Sequence, residues 1–166
     1  DEPLERRLEQ HVLRPIGMAG AVAAVTADDR DRDVRGHRPP RDAAVWDGQS
    51  EQVPAAFFPT CTADGAIAAT PDDVATYLRF LLSHGADGVL GADDFTRLAG
   101  RHVDTGDGWY GYGLHTRVSA GRTTVGHSGG MVGMFADVCV DPAAGLGVGM
   151  MINGVGDVSA ASSYLL

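Results

Sequence analysis

The chain has 166 residues, enough for one domain with a real core or for part of a larger one. Hydrophobic residues make up 44% of it, which is a globular composition and not a disordered one. A net charge of −9 and a pI near 4.9 argue against DNA, RNA or an anionic membrane as partner, because phosphate recognition needs clustered cations.

Leu4, Leu8, Val12 and Leu13 recur at helical spacing with charged residues between them, which predicts an amphipathic helix ended by Pro15 and Gly17. This helix begins almost at residue 1, as if a longer protein had been cut there. Residues 28–64 read as a long irregular connection that opens on a charge-dense run. Within it, Val53 to Pro59 is apolar enough to dock on the body. A second helix starts at Thr70 as N-cap, with Pro71 at its first position and Asp73 completing a capping box. Its apolar stripe is Val74, Tyr77, Leu78, Leu81 and Leu82, and His84-Gly85 stops it, with His84 facing the helix C-terminus. A shorter helix is expected over Ala92 to Leu98.

From Trp109 onward the pattern turns to strands: Tyr110 to Val118, Arg122 to His127, Val132 to Val140 and Leu146 to Ile152. Short turns between them predict an antiparallel meander. The fourth strand is apolar on both faces, as a central, doubly covered strand would be. Ser159 to Leu166 looks like the start of a further helix. The fold class is therefore α+β, with a helical and long-loop portion over 1–105 and a sheet portion over 106–166.

No apolar run approaches bilayer-spanning length, and no signal peptide is seen. The chain starts at Asp1 and not Met, so that says little about export. Cys61 and Cys139 form no Cys-x-x-Cys pair; two free thiols are expected, with a single disulfide as the alternative. The six histidines lack metal-ligand spacing, so neither metal nor cofactor is expected.

The most informative stretch is Thr124 to Gly133, which two hydrolase chemistries could use. Gly126-x-Ser128-x-Gly130 matches a nucleophile elbow with Ser128 as the attacking group. That arrangement needs a helix directly after the serine, and Gly129, Gly130 and Gly133 oppose one. It also needs a later histidine, and none of the six follows Ser128. The other chemistry makes His127-Ser128-Gly129 a substrate-binding edge strand in an enzyme whose nucleophile lies elsewhere. A plain glycine-rich turn is the bland alternative.

Several motifs together resemble the serine β-lactamase and penicillin-binding-protein-like hydrolases, the branch of class C β-lactamases, D-alanyl-D-alanine carboxypeptidases and related esterases. Arg14-Pro15-Ile16-Gly17-Met18 resembles the family's "Pro-Leu-Gly-Met". Asp64 to Thr70 followed by Asp73-Val74-Ala75 resembles "Gly-Gly-Leu-x-Ser-Thr-x-x-Asp-Leu-Ala". Tyr110-Gly111-Tyr112-Gly113-Leu114 is similar to "Tyr-Gly-Leu-Gly-Trp", and His127-Ser128-Gly129-Gly130 takes the place of the third motif, Lys/His-Thr/Ser-Gly. Asp141-Pro142 and Ile152-Asn153 match a later turn and strand end. The departures are equally plain. Ser-x-x-Lys cannot occur because the chain has no lysine, and Tyr-x-Asn cannot occur because Asn153 is the only asparagine.

The resemblance implies the C-terminal half of a β-lactamase/transpeptidase-like fold. It implies an acyl-serine mechanism on β-lactams, D-Ala-D-Ala peptides or simple esters, with this chain alone inactive. It places His127 and the Gly130 N–H in the catalytic site, the latter as an oxyanion-hole donor, and His127, Ser128, Gly129 and Gly130 along the substrate. The implied partners are a small-molecule or peptide substrate and the N-terminal half of the same protein, with a homodimer through exposed sheet surface as an alternative. An exported, cell-envelope location follows if family habit holds. Two other functions stay open: a non-catalytic binding or scaffold domain, and the elbow enzyme with Ser128 as nucleophile.

Overall fold

Helix α2 (Pro71–Leu82) organises the fold, and its start is built as the sequence predicts. Thr70 Oγ1 accepts from the Asp73 N–H at 3.2 Å, and the Asp73 carboxylate accepts from the Thr70 N–H at 2.9 Å. Pro71 occupies the first helical position, where its missing N–H would have had no partner anyway. Leu78, Phe80 and Leu81 are buried; Phe80 lies outside the predicted stripe and packs in the same core. The helix ends at Ser83, and His84 takes φ +57. The His84 ring stacks on Phe95 of α3 (Ala92–Leu98), with centroids 5.2 Å apart.

The structure is a computed structural model and describes residues 2–29, 31–32, 34–38, 51–53, 62–86, 88–119, 121–131, 133–154 and 156–166. At the N-terminus the expected single helix is two geometries in succession. An α-helix, α1 (Leu4–Leu8), runs into a π-helical turn over Glu9–Leu13, where the Arg14 N–H reaches back five residues to the Glu9 carbonyl. Gly17 then reverses the chain at φ +93. Leu13 and Met18 are buried beside Ala21 and Ala23, while Leu4 is exposed.

The sequence predicts an irregular long connection here, but among its described residues the connection has regular structure. It contains a two-stranded antiparallel ribbon, β1 (His37–Arg38) and β2 (Glu51–Gln52), with Val53 buried directly after it. Pro54 to Pro59 and Cys61 lie outside the described residues. Cys139 is a free, half-buried thiol that burial pushes above its ordinary pKa.

Beyond α3 lies a six-stranded antiparallel meander in chain order: β3 (Val103–Asp104), β4 (Gly108–Tyr110), β5 (His115–Ser119), β6 (Arg122–Met131), β7 (Met134–Asp141) and β8 (Leu146–Ile152). Helix α4 (Val158–Leu165) comes next, with Asp157 as its N-cap. Three expectations need correction. The strand predicted over Tyr110 to Val118 is a hairpin, because Gly111 to Leu114 turns the chain and sets Tyr110 opposite His115. β6 does not stop at His127 but runs through Ser128, Gly129 and Gly130 to Met131. β8 is an edge of this sheet and not a central strand.

Successive strand residues point to opposite faces, and this sorts the layers. α2 lies over the face of Val140, Gly147 and Gly149. α4 lies over the other face, where Ser159 Oγ donates to Asp137 at 3.2 Å. Leu78, Leu81, Phe95, Leu114, Val125 and Val140 form one core shared by α2, α3 and the sheet. The approach of α2 is close: a Cβ on Gly149 would overlap Val74 Cγ1, and one on Gly147 would lie 3.3 Å from Leu78 Cβ.

Candidate functional site

β6 is ten residues long and β5 only five, and their register leaves β6 in excess. The last β5–β6 pair is His115 opposite Gly126, whereas β7 pairs with β6 all the way to Met131 opposite Met134. Among the described residues, no strand pairs with residues 127–131 on the β5 side. That stretch is a free edge inside an otherwise continuous sheet, able to take an extended ligand through backbone hydrogen bonds.

All four residues singled out from the sequence sit on this edge. His127, Gly129 and Gly130 are exposed and Ser128 is half-buried. A Cβ at Gly129 would meet nothing within 4 Å, so the space over it is open. A Cβ at Gly130 would lie 2.8 Å from Phe135 Cε1, so that ring rests directly on the Gly130 backbone. Ser128, Gly129, Gly130 and Phe135 line one side of an open depression of about 570 Å³, and Asp157, Val158 and Ser159 at the start of α4 line the other. His127 is not in its lining; it engages Tyr110 instead. The alternation of the strand thus separates the His127 and Ser128 side chains.

His127 belongs to a cluster of three rings where β5 begins. Tyr110 Oη is 3.1 Å from His127 Nε2, and Tyr110 meets His115 edge-on at 4.5 Å between centroids. The His115 and His127 rings are 5.7 Å apart. Burial, then the Arg117 guanidinium and His127, hold His115 below the ordinary imidazole range, against an opposing pull from Asp107. The motifs of the sequence do not point to Tyr110 or His115 as site residues. A signal is nonetheless present: with Gly111 and Gly113 taken as turn glycines, Tyr110 and His115 fall opposite each other across a hairpin.

The far end of β6 is braced by the long connection. The His37 N–H donates to the Gly133 carbonyl at 3.1 Å, and Gly133 itself sits at φ +73 with a Cβ position only 2.7 Å from His37 N. Asn153 Nδ2 donates to the Arg35 carbonyl at 3.2 Å, which ties the end of β8 to the same ribbon. Among the described residues, no group of three or more His, Cys, Asp or Glu side chains is placed to hold a metal ion.

Ser128 does not occupy an elbow. β6 runs through it and then turns as a hairpin into β7, so the strand-turn-helix sequence that an elbow requires does not follow Ser128. A six-stranded antiparallel meander covered by α2 on one face and α4 on the other makes this an α+β fold, with an unpaired strand end as its open site.

The beta-lactamase family profile matches residues 1–164, and the chain belongs to that family. Solved structures share the fold. The octameric penicillin-binding protein homologue from Pyrococcus abyssi superposes with a TM-score of 0.78 at 22% identity, over 97% of this chain and 36% of its own. The penicillin binding protein from Bacillus halodurans gives 0.76 at 20% identity, over 98% of this chain and 49% of its own. A class C beta-lactamase gives 0.72 at 15% identity, over 96% and 48%. The chain therefore spans about half or less of the length of these structures. No curated protein matches it.

Proposed function

We propose that this chain supplies the substrate-facing sheet wall of a serine acyl-hydrolase whose nucleophile and base lie in a part of the protein not included in these 166 residues. The observation that carries this reading is the free edge of β6 over 127–131. An extended acyl substrate pairs with that edge, and the open space at Gly129 lets it approach the backbone. His127 meets its carboxylate or carbonyl oxygen, and Ser128 hydrogen-bonds nearby. The Gly130 N–H is one oxyanion donor, a contact worth about 3–4 kcal/mol in transition-state stabilisation. The substrate class is β-lactams, D-Ala-D-Ala-type peptides or simple esters; the P. abyssi and B. halodurans proteins are penicillin-binding or their homologue, and another structural relative is a D-stereospecific amidohydrolase from Streptomyces sp..

The chain contains no lysine, so no Ser-x-x-Lys pair lies within it. The missing elements come from the N-terminal half of the same protein, which also covers the edge of β8, where Leu146 and Met151 are exposed. A second copy of the chain is the competing occupant of that edge, and a cell-envelope location accords with the substrate class. The 166-residue chain alone is expected neither to hydrolyse a chromogenic β-lactam or a p-nitrophenyl ester nor to be labelled by a fluorescent penicillin. Mass spectrometry showing a stoichiometric adduct on Ser128 would overturn the reading. A longer protein carrying the serine and lysine that still fails to acylate would favour a binding or scaffold role instead.

A further inference from the structure

His127 reaches the open edge with one of its two nitrogens already engaged, because Tyr110 Oη is 3.1 Å from Nε2. A neutral imidazole has one donor and one acceptor, and a tyrosine hydroxyl can satisfy either. The surroundings choose between them. If Nε2 carried the proton, the Tyr110 O–H would be left to solvent, because among the described residues none other than His127 bonds to it. If Tyr110 donates, its single proton is used inside the cluster. His115 does not compete: it packs edge-on against the Tyr110 ring at 4.5 Å, and its Nδ1 is buried without a hydrogen-bond partner. The other charged groups acting on this cluster are Arg117 on β5 and Asp107 just before β4.

We propose that Tyr110 is the positioning residue of the site: its O–H donates to His127 Nε2, locks the imidazole as the Nδ1–H tautomer and leaves that N–H as the donor offered to a substrate oxygen. The substrate part rests on the proposed function of the β6 edge; the tautomer does not. His115 acts as the wall that holds the Tyr110 ring in place, which explains why an imidazole sits there with a nitrogen unsatisfied. His127 thereby does by orientation what a lysine would do by charge.

Long-range ¹H–¹⁵N spectra of the protein at about pH 9, where an ordinary imidazole is neutral, test this directly. His127 is expected as the Nδ1–H form. Tyr110→Phe keeps the ring against His115 and is expected to return His127 to the Nε2–H form that free imidazole side chains prefer. In the longer, acylating protein the same variant is expected to slow acylation roughly two- to tenfold, the range of one lost hydrogen bond. An Nε2–H tautomer in the unmodified protein overturns the proposal, whether or not the variant folds. A tautomer that switches with no change in acylation overturns the substrate-facing role. A protein that is never acylated sinks the hydrolase reading, and the tautomer still decides the Tyr110–His127 bond.

Discussion

Asp73 Oδ1 accepts from the Gly20 N–H at 3.0 Å across 53 residues of sequence, while Oδ2 serves the capping box of α2. One carboxylate thus fixes the start of the central helix and fastens the N-terminal segment to it. Burial opposes ionisation of this group, but bonds from the Thr70 hydroxyl, the Thr70 N–H and the Gly20 and Ala21 backbone outweigh it and hold its pKa below the ordinary carboxylate value. Asp73→Ala removes the carboxylate half of the capping box and leaves the Thr70 and Gly20 N–H groups without their partner. Chemical denaturation is expected to show a loss of about 2–4 kcal/mol. Because the folded pKa is depressed, the contribution is complete above about pH 4 and fades as the pH falls further. Asp73→Asn should therefore flatten the acid limb of the stability curve.

His115 works in a higher pH range, with the same sign. The folded ring resists protonation, whereas the unfolded ring takes a proton below about pH 6.5. Stability is thus held above that value and declines as the pH drops toward the folded pKa. Denaturation midpoints at about pH 7.5 and 5.5 should differ less for His115→Phe, which keeps an aromatic against Tyr110, than for the unmodified chain. Equal losses in both proteins would assign the pH dependence to other groups.

The two glycines of the edge should separate cleanly. Gly129→Ala meets no atom, so its thermal midpoint is expected to stay the same or rise slightly. In the acylating protein it is expected to raise KM, because the methyl group stands where the substrate backbone would lie. Gly130→Ala pushes on the Phe135 ring, which is 37% exposed and can swing out. A cost of about 1 kcal/mol is expected, and pairing it with Phe135→Leu should recover most of it.

His127→Ala in the acylating protein is expected to slow acylation by one to three powers of ten, the scale of a lost oriented electrostatic contact. Second-order rate constants with a reporter β-lactam measure it. Unchanged rates would remove His127 from the reaction.

The α2 cap, α3 and the β8 boundaries are legible in the sequence because local rules fix them: a Thr-Pro-x-Asp start, a short amphipathic period, a turn on either side of an apolar run. The full length of β6 is not, because Gly129 and Gly130 look like turn residues when taken alone. Their strand conformation comes from hairpin pairing with Ala136 and Phe135, a register that composition and periodicity do not reveal. The apolar run of β8 reads as a central strand since α2 and α4 cover its two faces, and coverage does not reveal which edges are paired. His127, Ser128, Gly129 and Gly130 can be named from one motif. Tyr110 cannot, because its meeting with His127 depends on the β4–β5 hairpin and on the register of β5 against β6.

The seat of α2 on β8 makes positions 74 and 149 inseparable. Val74 fits only because position 149 carries no side chain, so neither residue has a mutational tolerance of its own. Variants that enlarge one are neutral only when the other shrinks, and a library randomised at either position singly will register as intolerant what a paired library would accept.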